Sequence, residues 1–149
     1  ASGVAVIKVG GATEVERIEK KHRVEDALGA VKSAQEAGIV PGGGATLLKC
    51  ADFVVTCEDE DQQIGVEIVR KSLQAPIRQM AINAGCSPDL IVDKVLNASD
   101  LGWDFKTGEL AVMLDTGIID PTKVTRVALQ NSVSAASTLI TTNNAIIEA

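Results

Sequence analysis

Three consecutive glycines stand in the stretch Val40-Pro41-Gly42-Gly43-Gly44-Ala45-Thr46-Leu47-Leu48, around which we organise the rest of the sequence. Glycine has no Cβ, so this turn can adopt positive φ and lets a flat or charged ligand approach the backbone closely. The apolar residues that follow, Ala45, Leu47, Leu48 and Ala51, predict a helix. The glycines therefore precede a helix N-terminus, where free N–H groups and the helix dipole attract phosphate.

The glycine stretch alone does not identify a ligand. It is neither a complete dinucleotide-binding fingerprint nor a P-loop, because no Gly-Lys-Ser/Thr sequence follows the glycines. A tight corner between two helices explains the same residues. A phosphate-binding turn and a purely structural corner are both open on this pattern.

Composition indicates one large or two small domains with an aliphatic core. Of the 149 residues, 46% are hydrophobic but only 2% are aromatic, which suits helices that lie close together. A net charge of −6 and the absence of tyrosine argue against nucleic acid and anionic membranes as partners. No apolar run reaches the roughly 18 residues of a membrane span, and no signal-peptide pattern opens the sequence.

Three cysteines, Cys50, Cys57 and Cys86, are odd in number and lack paired CxxC spacing. Reduced thiols in a cytosolic or organelle-matrix protein fit this pattern better than a disulfide framework or a zinc site.

A strand and a long helix are predicted before the glycine stretch. The strand is the β-branched run Gly3–Gly11, which glycines bound. Thr13 and Glu16 form a capping-box pattern, after which the helical pattern continues to Ala37 and Gly38 stops it.

This long helix changes character along its length. Its first half, Glu16–Arg23, is almost wholly charged. Its second half carries apolar residues at helical spacing, namely Val24, Ala27, Leu28, Val31 and Ala34. We expect a strut with one solvated end and one buried end. Asp26 lies where the character changes, and the pattern alone makes it a solvated surface carboxylate.

Shorter helices follow the glycine stretch. Helical patterns end near Val55, Gln74 and Gly85, and the last of these helices begins at Pro76. The acidic run Glu58–Asp61 marks a helix start. Another helix begins after the cap Ser87 and is predicted to turn four apolar residues inward, namely Leu90, Ile91, Val95 and Leu96.

The C-terminal third predicts a hairpin and a second long helix. Residues 102–112 form a hairpin pattern that turns at Thr107-Gly108. Asp120 before Pro121 predicts the N-cap of a helix ending near Leu139. The run Ala145-Ile146-Ile147 is strand-like and has no evident partner.

Four blocks of sequence together resemble the C-terminal part of a group I chaperonin, the GroEL-type 60 kDa family. The blocks are Gly3–Glu16 (GVAVIKVGGATEVE), Arg23–Leu28 (RVEDAL), Gly42–Gly44 (GGG) and Gly117–Val124 (GIIDPTKV). Their order and spacing agree with the family along essentially all 149 residues. The resemblance implies a mainly α fold: the helical bundle of an equatorial domain with a small β-hairpin, plus a strand and a long helix from an intermediate domain.

The resemblance divides the chain into two discontinuous domains. Residues 1–37 correspond to the C-terminal half of the intermediate domain, and residues 38–149 to the C-terminal half of the equatorial, ATP-binding domain. Asp26 matches the catalytic aspartate, which approaches the Mg2+-bound γ-phosphate and activates water. Its contact with the metal is indirect. The main Mg2+ ligand of the family belongs to the N-terminal equatorial half.

Other residues match the nucleotide pocket of the family. Gly43 lies at the sugar and base, with Gly42 and Gly44 shaping the turn. Ile118 packs on adenine, and Asp120 binds the ribose hydroxyls.

Two positions depart from the family at the base. Many relatives have Asn-Ala where this chain has Asp104 and Phe105. An aspartate accepts from the adenine amino group but cannot donate, and phenylalanine is bulkier, so the base selectivity of the family does not carry over to this position.

The implied function is that of a fragment of an ATP-dependent chaperonin, which folds proteins inside a ring cavity. ATP and Mg2+, with K+ as a further candidate, are the cofactors of the intact parent. The parent is a double heptameric ring that binds a co-chaperonin and unfolded polypeptides through an apical domain. We expect the fragment alone to be inactive, and its compartment to be the bacterial cytoplasm, the mitochondrial matrix or the plastid stroma.

Two other classes of function stay open from the residues alone. One is a free-standing acidic helical module with a structural or interaction role and no catalysis. The other is a small nucleotide-binding enzyme, for which Gly42–Gly44 is the one candidate phosphate cradle.

Overall fold

The structure is a computed structural model that describes residues 3–53 and 55–146. The helices are α1 (Glu14–Ala37), α2 (Ala45–Cys50), α3 (Glu60–Ser72), α4 (Ala75–Asn83), α5 (Pro88–Leu96) and α6 (Thr122–Ile140). The strands are β1 (Ile39–Pro41), β2 (Gly102–Asp104), β3 (Glu109–Ala111) and β4 (Ile119–Pro121). The mainly α fold with a small hairpin is therefore confirmed.

Local capping sets both ends of α1, as predicted. The Thr13 hydroxyl accepts from the Glu16 N–H at 3.2 Å, while the Glu16 carboxylate accepts from the Ala12 N–H at 2.8 Å. At the other end, Gly38 has φ of 78° and donates its N–H to the Ala34 carbonyl. The helix therefore ends at a backbone conformation that a side chain would strain.

The apolar stripe of α1 is not buried. Leu28 and Val31 are 46% and 56% exposed, and Val24 and Ala34 are half-buried. The helix packs against α6 and β4, and Lys123 of α6 forms an ion pair with Glu36. The long helix is therefore confirmed, but its predicted buried end is wrong, because no residue of α1 is buried by the residues that the structure describes.

Two antiparallel strand pairs complete the fold. The predicted hairpin is present: β2 pairs with β3, and Gly108 in the connecting turn has φ of 75°. The other pair, β1 with β4, was not predicted and places Val40 opposite Asp120. It joins a segment that precedes α2 in the sequence to one that follows α5.

Three predicted boundaries differ from the structure. The run Gly3–Gly11 forms no strand, because a strand requires a pairing partner and no described segment pairs with it. Residues 142–146 likewise form no strand, while Ile147 lies outside the described residues. Helix α2 ends at Cys50 rather than near Val55, where β-branched Val55 and Thr56 disfavour helix.

Asp120 does not cap α6, so this prediction is wrong. Helix α6 begins at Thr122 with Pro121 in the N-cap position, and no side chain bonds to its first N–H groups. Pairing with Val40 holds Asp120 in β4, one residue too early to cap. Its carboxylate oxygens are consequently not used by the helix.

The core lies between α2, α4, α5 and β2. Its buried residues are Ala45, Leu48, Ile77, Ala81, Ile91, Val92, Val95 and Trp103. The inward positions predicted for Ile91 and Val95 are confirmed, whereas Leu90 and Leu96 are 53% and 36% exposed. Mostly aliphatic side chains therefore fill the space between α2, α4 and α5.

Replacing Gly44 by alanine should destabilise the fold by about 2–4 kcal/mol. Gly44 has φ of 74°, and a Cβ there would lie 3.0 Å from the Ile77 backbone nitrogen and 2.9 Å from Met80 Cε. Urea denaturation of Gly44→Ala measures the loss.

The matched control is Gly65→Ala in α3, where no atom lies within 4 Å of an added Cβ. This variant should gain about 0.5–1 kcal/mol, since alanine favours helix over glycine. Equal stability of Gly44→Ala and the parent would contradict the steric argument.

Candidate functional site

The glycine corner, Gly42–Gly44, is closely packed, and atoms near Gly42 and Gly44 leave no room for a side chain there. The Gly42 N–H donates to the Ile118 carbonyl at 2.9 Å, and a Cβ on Gly42 would lie 3.1 Å from that carbonyl. Gly43 and Gly44 both have positive φ, at 65° and 74°. Glycine is therefore required here by close approach and by conformation, and the corner opens directly into α2.

A cavity of about 470 Å³ lies beside this corner. Gly43, Gly44 and Asp120 all line it, so the structure brings together three of the predicted nucleotide-binding residues. The opposite walls come from α6, including Thr125, and from the start of α4, including Pro76. Such a concave site with few polar groups is typical of a small-molecule pocket.

Asp120 is the carboxylate of this cavity. It is half-buried, and desolvation raises its pKa above the ordinary value. The backbone pairing of β4 with Val40 fixes its position next to the glycine corner. A partly desolvated carboxylate with two acceptor oxygens suits a ligand that offers two neighbouring hydroxyl donors.

Ile118 faces the side of Gly43 on which a side chain would stand. Its Cγ2 atom lies 3.8 Å from the position that a Gly43 Cβ would occupy, and the Trp103 carbonyl oxygen lies 3.7 Å from it. The Cε atom of buried Met113 is also 3.7 Å from that Cβ position. Strand β2 and Ile118 therefore reach the glycine corner, which supplies an apolar surface at this side.

Asp104 and Phe105 belong to the hairpin turn. Asp104 Oδ1 accepts from the Lys106 N–H at 2.8 Å, and this bond holds the pKa of the carboxyl below its usual range. Phe105 is half-buried and packs against the core. Neither residue lines the cavity that Asp120 lines.

Asp26 is exposed on α1 and does not line that cavity. It lies about 18 Å along the helix axis from Gly38, at about 1.5 Å per residue. Within the described residues, no group of three or more His, Cys, Asp or Glu side chains could hold a metal ion. Asp26 is thus carried by the strut, outside the cavity that Asp120 lines.

Sequence reasoning missed the hydroxyl residues of the cavity. Thr46 donates to the Pro41 carbonyl at 2.7 Å and so braces the glycine corner. Thr125 and Ser132 line the cavity from α6, together with Ala128 and Leu129. These residues are spaced three or four apart, which places them on one face of the helix, and this spacing could have predicted that they line a common surface.

Comparison with known proteins identifies the family. The sequence matches the TCP-1/cpn60 chaperonin family over residues 1–149, so the chain belongs to that family. It is similar to the crystal structure of a group III chaperonin in the open state, with a TM-score of 0.77 and 30% sequence identity. The match covers 93% of this chain and 30% of that chain, so this sequence spans less than a third of the neighbour's length.

Family membership confirms the chaperonin resemblance, while membership of group I rather than another group stays a prediction. In the part of the chain that the structure describes, no helix is both long and apolar enough to cross a membrane.

Asp120→Asn should be more stable than the parent at neutral pH, and this difference in the free energy of unfolding should be smaller at acidic pH. Burial raises the pKa of Asp120, so the stability that this group contributes is present below its ordinary value of 3.8. That stability is lost as the pH rises through the raised pKa of Asp120 in the folded protein, because ionising a desolvated carboxyl is unfavourable. Asparagine does not ionise and avoids this loss.

Urea unfolding between pH 3 and pH 8 measures the difference between Asp120→Asn and the parent. Asp115→Asn is the control, since it removes a carboxylate at an exposed turn position. A stability difference that shrinks with rising pH would overturn the assignment of Asp120 as desolvated.

Proposed function

We propose that this chain forms half of the nucleotide pocket of an ATP-dependent chaperonin, which folds proteins inside a ring cavity. The observation that carries the proposal is the cavity shared by a glycine corner and a half-buried aspartate in a member of the chaperonin family. Family membership favours this function over a free-standing acidic module without catalysis.

The proposed domain boundary lies between Ala37 and Gly38. Residues 1–37 are the returning half of the intermediate domain, and residues 38–149 are the C-terminal half of the equatorial domain. The exposed, strut-like α1 on one side of Gly38 and the buried core on the other support this division.

Each pocket residue has a distinct proposed role. Gly42–Gly44 let the backbone approach the nucleotide, and the positive φ values of Gly43 and Gly44 favour this close contact. Asp120 accepts from the ribose hydroxyls, which its two acceptor oxygens can serve. Ile118 packs on adenine, and its position on the side-chain side of Gly43 supports an apolar base site.

Asp26 is the proposed catalytic residue, which orients or activates the attacking water. When bound, Mg2+ supplies charge stabilisation at the phosphates. The carboxylate of Asp26 would act near this ion without being its main ligand. K+ is a further candidate ion. Because Asp26 lies on α1, its approach to the phosphates depends on the position of that helix, which couples hydrolysis to domain motion.

The proposed assembly is a homo-oligomeric double heptameric ring. Its apical domain, outside this sequence, binds the co-chaperonin and unfolded polypeptides. The acidic net charge of −6 supports partners other than nucleic acid or anionic membranes. The bacterial cytoplasm is the proposed compartment, with the mitochondrial matrix and the plastid stroma as alternatives.

In the full-length protein, Asp26→Ala should bind ATP almost normally but hydrolyse it about 10²–10⁴-fold more slowly. Most contacts to the nucleotide come from other residues, whereas the water-positioning carboxylate is lost. Asp26→Asn should share the rate defect, since it keeps size but not charge. Single-turnover hydrolysis beside equilibrium ATP binding separates the two effects.

Glu25→Ala is the matched control, because Glu25 is exposed on the same helix and pairs with Lys21 at 3.5 Å. It should leave the hydrolysis rate unchanged. Hydrolysis by Asp26→Ala at the parental rate would return Asp26 to an ordinary surface carboxylate. A collapse of ATP binding with normal turnover of the bound fraction would make its role structural.

Residues 1–149 alone should show no significant ATPase activity. Phosphoryl transfer depends mostly on metal and positioning, and the described residues hold no metal-binding cluster. Phosphate release from the purified chain, compared with the same preparation carrying Asp26→Ala, tests this expectation. Steady turnover that Asp26→Ala abolishes would show that the chain is an enzyme by itself.

A further inference from the structure

The last residue of β1, Pro41, has a carbonyl oxygen that the strand pair does not use. Pro41 lies opposite Ile119, and the N–H of the next residue, Gly42, donates to the Ile118 carbonyl. This pattern makes Pro41 and Ile119 a pair that exchanges no hydrogen bonds, so the Pro41 carbonyl faces away from β4. Because proline has no N–H, this carbonyl is its one polar backbone group, and it needs a donor elsewhere.

Thr46 supplies that donor from the first turn of α2. Its Oγ1 atom donates to the Pro41 oxygen at 2.7 Å, a usual distance for a hydroxyl donor, and both residues are half-buried. The bond spans the glycine corner, since Gly42–Gly44 lie between the two bonded residues. Glycines restrict their own backbone less than other residues do, so a bond across them limits the conformations of the corner.

The Thr46 side chain is also part of the cavity wall. It lines the 470 Å³ cavity together with Gly43, Gly44 and Asp120, and it lines a second, smaller cavity of about 210 Å³ between α2 and α6. Its one hydroxyl proton is used by Pro41, so toward a ligand this hydroxyl can only accept. Its position therefore favours an action on the corner over donation to a ligand.

We propose that Thr46 is a positioning residue of this site, whose hydroxyl holds the glycine corner in the conformation that admits the ligand. The inference rests on the proposed nucleotide pocket. A corner that also adopts other conformations binds its ligand with an affinity reduced by the fraction that is competent. Loss of one hydrogen bond of this kind lowers the competent fraction by a factor of about 3–10.

The test compares Thr46→Val with the parent in the full-length protein, because valine keeps the shape of threonine and has no donor. ATP binding should weaken and the KM for ATP should rise, both by about 3–10-fold, while kcat stays within about 2-fold. The change falls on KM because the corner holds the nucleotide equally before and during hydrolysis. Thr46→Ser keeps the donor and should restore the affinity to within about 2-fold of the parent.

Thr138→Val is the matched control. Thr138 is exposed on α6, and its hydroxyl donates to the Ser134 carbonyl at 3.0 Å, so the variant loses the same kind of bond away from the corner. It should leave both the KM for ATP and kcat unchanged.

A parental KM in Thr46→Val overturns the inference and leaves the proposed pocket standing. Equal losses of affinity in Thr46→Val and Thr46→Ser also overturn it, since the donor would not account for the effect. A fall in kcat per mole of protein at an unchanged KM would assign Thr46 to global stability and overturn it as well. Absence of ATP binding by the parent would instead remove the proposed function, and this inference with it.

Discussion

The antiparallel pairing of β1 with β4 is the constraint on which the site depends. It aligns Ile39–Pro41 with Ile119–Pro121, and a backbone bond extends it at either end. The Gly42 N–H donates to Ile118, and the Thr122 N–H donates to the Gly38 carbonyl. One short ladder thus positions the end of α1, the glycine corner, Asp120 and the start of α6.

Backbone bonding matters more here than charge. The Glu36–Lys123 ion pair joins α1 to α6, but both side chains are about half exposed, and such pairs contribute little, roughly 0–1 kcal/mol. A backbone group left unpaired in the same place would cost more, about 1–3 kcal/mol. Since Gly38 lies between α1 and the ladder, a change in the direction of α1 acts first on the strand beside Asp120.

Features set by neighbouring residues were predictable, and features set by distant pairing were not. The caps of α1 and the turn of the hairpin follow from residues within four positions, such as Thr13 with Glu16. The β1–β4 ladder joins three-residue segments far apart in sequence, each containing a proline, and no strand pattern marks them. The same ladder explains why Asp120, read locally as an N-cap, lies in a strand. The run Gly3–Gly11 shows the converse, a strand pattern without a partner.

At the site, the locations of residues could be predicted from the sequence, but the orientation of a side chain could not. Positive φ at Gly43 and Gly44 could be anticipated, because only glycine tolerates it without strain. Resemblance also placed Asp104 at the base end, but it could not say where the carboxylate points. Lys106 and Thr107 follow Asp104 closely and compete with any ligand for its oxygens, and a local donor has the advantage of proximity. A substitution that keeps an acceptor at an aligned position can therefore transfer its hydrogen bonds from the ligand to the turn.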